Sequence, residues 1–211
     1  MQFGVDEAGK GPVLGSMFAA AVRADPDALP EGVADSKHLS PERRSELSRA
    51  IHERADAVAV AEIPVERIDD PDTDMNTLTV EAHAEALAGV VLEGLSGYVD
   101  AGDTNAVRFE RRLTKRLDVP LELRAEHGAD EQYPIVSAAS IIAKVTRDAH
   151  VDRLAAEYGP IGSGYPGDEQ TRLFLREYVE ERGHLPPCAR SSWQTCSDIL
   201  GERDQSSLTE F

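Results

Sequence analysis

The apolar residues of this chain change their spacing along its length, and that change limits the folds open to it. Residues 2–5 form a short apolar run that leads into Asp6 and Glu7, and the glycine-rich turn AGKGP follows. Residues 13–22 are small and apolar and predict the second strand of a hairpin. Residues 25–34 hold two prolines and predict a loop. Ser40 as N-cap and Pro41 at the first helical position open a helix over residues 41–55. Residues 57–63 alternate as a third strand, and residues 76–95 carry a helical period. Short strands at 97–100 and 121–125 flank an amphipathic helix at 106–117. From residue 133 onward the spacing is helical only, at 133–158, 169–182 and 189–200, with a glycine-rich loop at 159–167. Strands first, then alternation, then helices predicts an α/β fold: a mixed sheet flanked by helices, with a helical C-terminal extension. A chain of 211 residues buries a core without disulfide or metal staples. The expected division is residues 1–158 as the main domain, 159–204 as a helical extension packed on it, and 205–211 as a tail.

Charge narrows the partners. Asp and Glu number 39 against 22 Lys and Arg, a formal charge of −17. That argues against a positively charged coat for nonspecific DNA binding and against binding to an anionic membrane. Disorder does not follow, because 41% of residues are hydrophobic and they fall in patterned runs. Lysine occurs only at Lys10, Lys37, Lys115 and Lys144. Many acids, few lysines and many small residues resemble proteins of extreme halophiles, where molar salt screens charge beyond about 3 Å. Cys188 and Cys196 lack metal-type spacing and read as free thiols. No apolar run of about 18 residues and no export signal are present, so a cytoplasmic protein is expected.

Four acids differ in setting from the rest. Asp6 and Glu7 end the first strand, Asp100 ends a later one, and Asp130 precedes the apolar long helix. Each stands where a rigid element meets a loop, the usual place for chemistry in α/β proteins. Such hard oxygen ligands suit magnesium or manganese. No HExxH, cysteine cluster or GxSxG supports zinc or a serine nucleophile. The glycine turn around Lys10 lets backbone N–H groups approach an oxyanion, though its spacing is not that of a Walker A loop. Three of the four lysines lie in AGKGP, DSKHLS and SIIAKVTRD, which suggests cations facing phosphate.

These strings carry a resemblance. GVDEAGKGPVLG at 4–15 resembles the N-terminal signature of ribonuclease HII. DSKHLS at 35–40, YVDAGD at 98–103, HGAD at 127–130, SAASIIAKVTRD at 137–148 and GSGYPGD at 162–168 follow in the family's order, in forms that look archaeal. The resemblance implies an RNase H-like fold and hydrolysis of RNA in RNA–DNA hybrids and of ribonucleotides embedded in duplex DNA. It implies metal-binding carboxylates at Asp6, Glu7, Asp100 (rather than Asp103) and Asp130 (rather than Glu131). It implies that Gly9, Lys10 and Gly11 meet the ribose 2′-hydroxyl and that Tyr165 stacks on the sugar beyond the junction. Two divalent ions would clamp the phosphate, leaving 3′-hydroxyl and 5′-phosphate ends. Lys10 replaces the family's more frequent arginine, and Gly167 replaces a serine. Lys37, Lys144 and Arg147 have phosphate-binding roles in this reading. Lys144 and Arg147 also stand three apart on one helix face, where pairing with local acids is the alternative.

Basic residues at 108–116 read as a solvated helix face, with a substrate flank as the alternative. Trp193 reads as core. Gln205, Leu208 and Phe211 resemble a sliding-clamp-binding peptide, with Leu208 and Phe211 on one side of a helical turn. The second aromatic of such peptides is absent. A monomer is expected. The rival enzyme is ribonuclease HIII, and the rival of another class is a catalytically silent clamp- or nucleic-acid-binding module.

Overall fold

The computed structural model describes residues 1–34 and 39–208, with side chains as far as residue 203. The strands are β1 (Gln2–Ala8), β2 (Met17–Ala24), β3 (Ala57–Ile63), β4 (Ser96–Asp100) and β5 (Glu122–Glu126). The helices are α1 (Pro41–Arg54), α2 (Val65–Ile68), α3 (Met75–Ala88), α4 (Ala106–Thr114), α5 (Ala129–Gln132), α6 (Pro134–Tyr158), α7 (Glu169–Arg182) and α8 (Gln194–Leu208). The chain divides into two compact units. One comprises Met1–Lys10, Met17–Glu62 and Asp74–Arg147, and the other Gly11–Ser16, Ile63–Thr73 and Asp148–Phe211.

The first unit is built on a five-stranded sheet in the order β3-β2-β1-β4-β5. β1 runs antiparallel to β2 and parallel to β4, and β4 runs parallel to β5, so the sheet is mixed as expected. β1 is the middle strand, with Phe3 and Val5 fully buried. It continues to Ala8 rather than stopping at residue 5, because Asp6 and Glu7 stay in the ladder opposite Ala20 and Ala19. β2 starts at Met17 rather than residue 13. The apolar pattern of 13–16 reflects burial in the other unit, not strand pairing with β1.

The first half of α6 explains how the sheet is covered. Ile135 to Ala143 are buried without a break, as befits a helix enclosed on all sides. It crosses β1 at Gly4, where a Cβ would come within 2.6 Å of the Val136 nitrogen. Glycine there lets helix and strand touch backbone to backbone. α1 opens as anticipated, with the Ser40 hydroxyl accepting from the Arg43 N–H at 3.2 Å and Pro41 at the first position. α3 ends at Ala88, earlier than the pattern suggests. Gly89 packs so close to β3 that a Cβ would lie 2.5 Å from that of Ala59. Arg23 Nη1 then donates to the Val90 carbonyl at 2.7 Å, fixing the chain after the turn.

The second unit has its own apolar cluster, which includes Val13, Leu14, Ile161, Phe174, Leu175 and Val179. Leu14 bridges Ala189, and the Gly15 N–H donates to the Cys188 carbonyl at 2.8 Å. Arg190 is fully buried, with Nε donating to the Gly15 carbonyl at 2.8 Å and the guanidinium 5.0 Å from the Trp193 ring centre. These contacts occupy residues 189–193, so α8 begins at Gln194 rather than 189, and it runs on to Leu208. Burial pushes the free thiols of Cys188 and Cys196 up to about 12 and about 11. Among the described residues no helix is long and apolar enough to cross a membrane.

Candidate active site

The parallel register of β1 and β4 matches Phe3 with Gly97 and Val5 with Val99. One step further along both strands, the register sets Asp6 beside Asp100. Asp6 is only 6% exposed, and its Oδ1 accepts the Glu7 N–H at 2.7 Å. Burial raises its pKa well above the usual carboxylate range, and the charges of Glu7 and Asp100 add to the effect. The Ser140 hydroxyl on α6 opposes the rise.

Asp100 accepts the Ala129 N–H at 2.8 Å and so holds the start of α5. That turn carries Asp130, which is itself buried. Burial also raises the pKa of Asp100; the Ala129 hydrogen bond works against it, while the charges of Glu7 and Asp130 work with it. The four acids singled out in the sequence are therefore electrostatic neighbours in one unit. Among the described residues no three acid, His or Cys side chains are already drawn around a single point. The donor set nonetheless fits a divalent cation: hard, mutually repelling carboxylate oxygens, two of which, Asp6 and Asp100, have raised pKa values that a nearby dication would reverse.

Glu7 has a partner that sequence reasoning missed. His83 of α3 is fully buried, and its Nε2 lies 2.7 Å from Glu7 Oε2. One histidine inside an apolar helical stripe gives no signal of that contact, because the contact depends on how α3 meets β1. Asn76 was missed in the same way: Lys10 Nζ donates to its Oδ1 at 3.3 Å and also to the Gly102 carbonyl. The Lys10 amine thus ties the glycine turn to the loop after β4 and the start of α3.

Other expected residues fall as follows. Gly9 has a φ of 87°, the left-handed conformation that a tight turn after β1 requires. Gly11 and Tyr165 meet within the second unit, where a Cβ on Gly11 would lie 3.7 Å from the Tyr165 ring. The Val13 and Leu14 N–H groups both donate to the Gly164 carbonyl, docking the end of the glycine turn on the GSGYPGD loop. Tyr165 is 45% exposed, a ring open on one side. Trp193 is packed against the second unit's apolar cluster, and its Nε1 donates to the Gly11 carbonyl at 3.4 Å. Lys144 and Arg147 are partly buried on α6. Lys37 lies outside the described residues, as do Phe211 and the side chains of Gln205 and Leu208.

The basic face of α4 has local partners. Arg108 binds the nearly buried Asp103, Arg112 donates to Thr77 Oγ1 at 2.7 Å, and Arg116 pairs with Glu81 at 3.0 Å. Arg112 ties α4 to α3, Arg116 ties the turn after α4 to α3, and Arg108 holds the loop after β4, so these arginines serve the fold.

Residues 3–196 match the family model described as Ribonuclease HII. The chain belongs to the ribonuclease HII family. A Ribonuclease HII from Haloarcula marismortui is 64% identical over 211 residues, covering the whole of both chains. The solved ribonuclease H2 from Pyrococcus horikoshii superposes with a TM-score of 0.90 at 37% identity, over 96% of this chain and 98% of that one. The PCNA:RNase HII complex from Archaeoglobus fulgidus includes a chain with a TM-score of 0.85 at 39% identity, over 94% of this chain and 96% of that one. Ribonuclease HII is a metal-dependent endonuclease acting on the RNA of RNA–DNA hybrids, and this member carries that ribonuclease H activity on an RNase H-like fold. The ribonuclease HIII reading is not favoured, since the family model and these relatives are of the HII type.

Proposed function

We propose that the chain hydrolyses the RNA strand of hybrids and single ribonucleotides embedded in duplex DNA, with Asp6, Glu7, Asp100 and Asp130 holding the divalent cations. The observation that carries this reading is the neighbouring placement of Asp6, buried, and Asp100, partly buried, at the ends of β1 and β4, with the charge of Glu7 acting on both and that of Asp130 on Asp100. Magnesium or manganese, when bound, would supply an activated water and charge stabilisation at the leaving oxygen, giving 3′-hydroxyl and 5′-phosphate ends. Asp6 and Asp100 anchor the centre on rigid strands, and Glu7 and Asp130 reach it from either side. The turn of Gly9, Lys10 and Gly11 offers backbone groups to the 2′-hydroxyl, the group that distinguishes RNA from DNA. Tyr165 stacks on the sugar beyond the junction, where its exposed ring suits contact without a base code. Lys37, Lys144 and Arg147 take phosphate.

The enzyme works as a monomer in the cytoplasm of a salt-rich cell. Gln205, Leu208 and Phe211 dock it on a sliding clamp. The Archaeoglobus fulgidus complex lends this support, as does the spacing of the three residues.

The test is a duplex carrying one ribonucleotide, incubated in molar KCl with magnesium, with manganese and with neither. A single cut at the ribonucleotide, dependent on metal and leaving a 3′-hydroxyl, is expected. Cleavage of all-DNA duplex at the same rate would overturn the reading, and so would no cleavage with either metal.

A further inference from the structure

His83 has no role in the chemistry described so far, yet it is the residue that holds Glu7. Its side chain is fully buried on α3, and Nε2 stands 2.7 Å from Glu7 Oε2, whose side chain is only 11% exposed. The ring is fixed on its other side by Phe109, edge to face at 5.2 Å. Nδ1 is buried and has no hydrogen-bond partner. With Glu7 accepting, the Nε2 position carries the proton. With Nδ1 bare, the imidazole has one hydrogen bond, to Glu7, and its other support is the apolar contact with Phe109.

Burying a polar atom without a partner is unfavourable, and an apolar residue of similar shape would fill this space without that cost. The arrangement is therefore not what core packing alone selects. Glutamate has three rotatable side-chain bonds, and an unheld carboxylate would sample many orientations. At Glu7 one oxygen is fixed by His83, and the other lies under Gly102, where a Cβ would come within 3.0 Å. The orientation of the carboxylate is set before any cation arrives.

We propose that His83 is a positioning residue, donating from Nε2 to orient Glu7 for the divalent cation. This rests on the reading of Glu7 as a cation ligand. Groups of this kind, one shell outside a metal, typically change metal affinity by about ten- to a hundredfold when removed. The effect falls on cation binding rather than on the chemistry once cation is bound.

The experiment uses the full chain in molar KCl and titrates Mn2+ without substrate, by electron paramagnetic resonance of the free ion. Cleavage against Mn2+ concentration is measured in parallel. His83→Phe keeps an aromatic ring without a donor, and His83→Gln restores an amide donor near the Nε2 position. His83→Met, also without a donor, carries the test if the phenyl ring does not fit. Thermal melting confirms folding of each. Expected is Mn2+ affinity about tenfold or more weaker in the Phe or Met variant, with kcat at saturating Mn2+ within about threefold of wild type. The Gln variant should recover most of the affinity. Wild-type affinity in the donorless variants, with Glu7→Gln weakened, would overturn the role of His83 and leave Glu7 as a ligand. Wild-type affinity in Glu7→Gln as well would overturn the reading on which the proposal rests.

Discussion

Asp6 and Asp103 are both buried aspartates, and their surroundings drive them in opposite directions. Asp6 is raised by burial, then by Glu7 and Asp100. Asp103 bonds the Arg108 guanidinium, which holds it down at about 2 in spite of burial. Its ionised form is bound more strongly in the folded chain than in the unfolded one. Stability from this pair is therefore complete above about pH 4, the unfolded value, and is lost as pH falls towards about 2. Asp103→Asn should cost about 1–3 kcal/mol at pH 7. In urea unfolding at fixed KCl, the gap between wild type and variant should narrow between about pH 4 and about pH 2. A gap independent of pH would mean that the charge on Asp103 is not what counts. The four central carboxylates stood out in the sequence because each follows or precedes an apolar element. His83 and Asn76 did not, because each acts through a partner 76 and 66 residues away.

At the scale of elements, the contact of β1 with α6 fixes the surroundings of Asp6. The helix lies on Gly4, two residues before Asp6, and it carries Ser140 towards that carboxylate. Gly4→Ala would force a methyl group against the backbone of Ile135 and Val136. Overpacking of this kind costs about 1–3 kcal/mol, or roughly 2–4 °C in melting temperature per kcal/mol for a chain of this size. A melting temperature equal to wild type would mean that the strand and helix are not in direct contact.

The same elements show what was legible beforehand. β3 and α7 fall at their expected bounds, because alternation and capping are local properties. The bounds of β2 and α8 were missed by several residues. The segment 11–16 is apolar in order to pack with residues 188–190 of its own unit. That purpose is written in distant sequence, and local spacing does not register it. The Asp100 side chain bonding the first turn of α5 was hidden for the same reason.

At the scale of the whole molecule, the charge of −17 and the family's nucleic-acid substrate are reconciled by separating two populations of acid. In the molar salt proposed for its cell, which screens charge beyond about 3 Å, most of the 39 carboxylates would serve to keep a hydrated surface. The four at β1, β4 and α5 are brought into electrostatic contact by the fold and are the proposed cation ligands. In the proposed function, substrate recognition depends on close contacts, and residues 205–211 are the proposed clamp-binding tail. Deleting residues 205–211 should abolish binding to the sliding clamp while leaving cleavage within about twofold of wild type, as read by surface plasmon resonance and by gel. Unchanged clamp affinity would refute the role of the tail.

The central claim is that Asp6 belongs to the hydrolytic centre and not merely to the core of the sheet. Asp6→Asn removes a charge that burial and two neighbours oppose, so the metal-free variant should melt no lower than wild type at neutral pH. Losing several kcal/mol of transition-state stabilisation corresponds to a rate loss on the order of a thousandfold. The decisive measurement is single-turnover cleavage of a duplex with one ribonucleotide by Asp6→Asn and wild type, in saturating magnesium and molar KCl. The account predicts a folded variant with cleavage reduced about a thousandfold or more. Full activity of that variant in magnesium would contradict it.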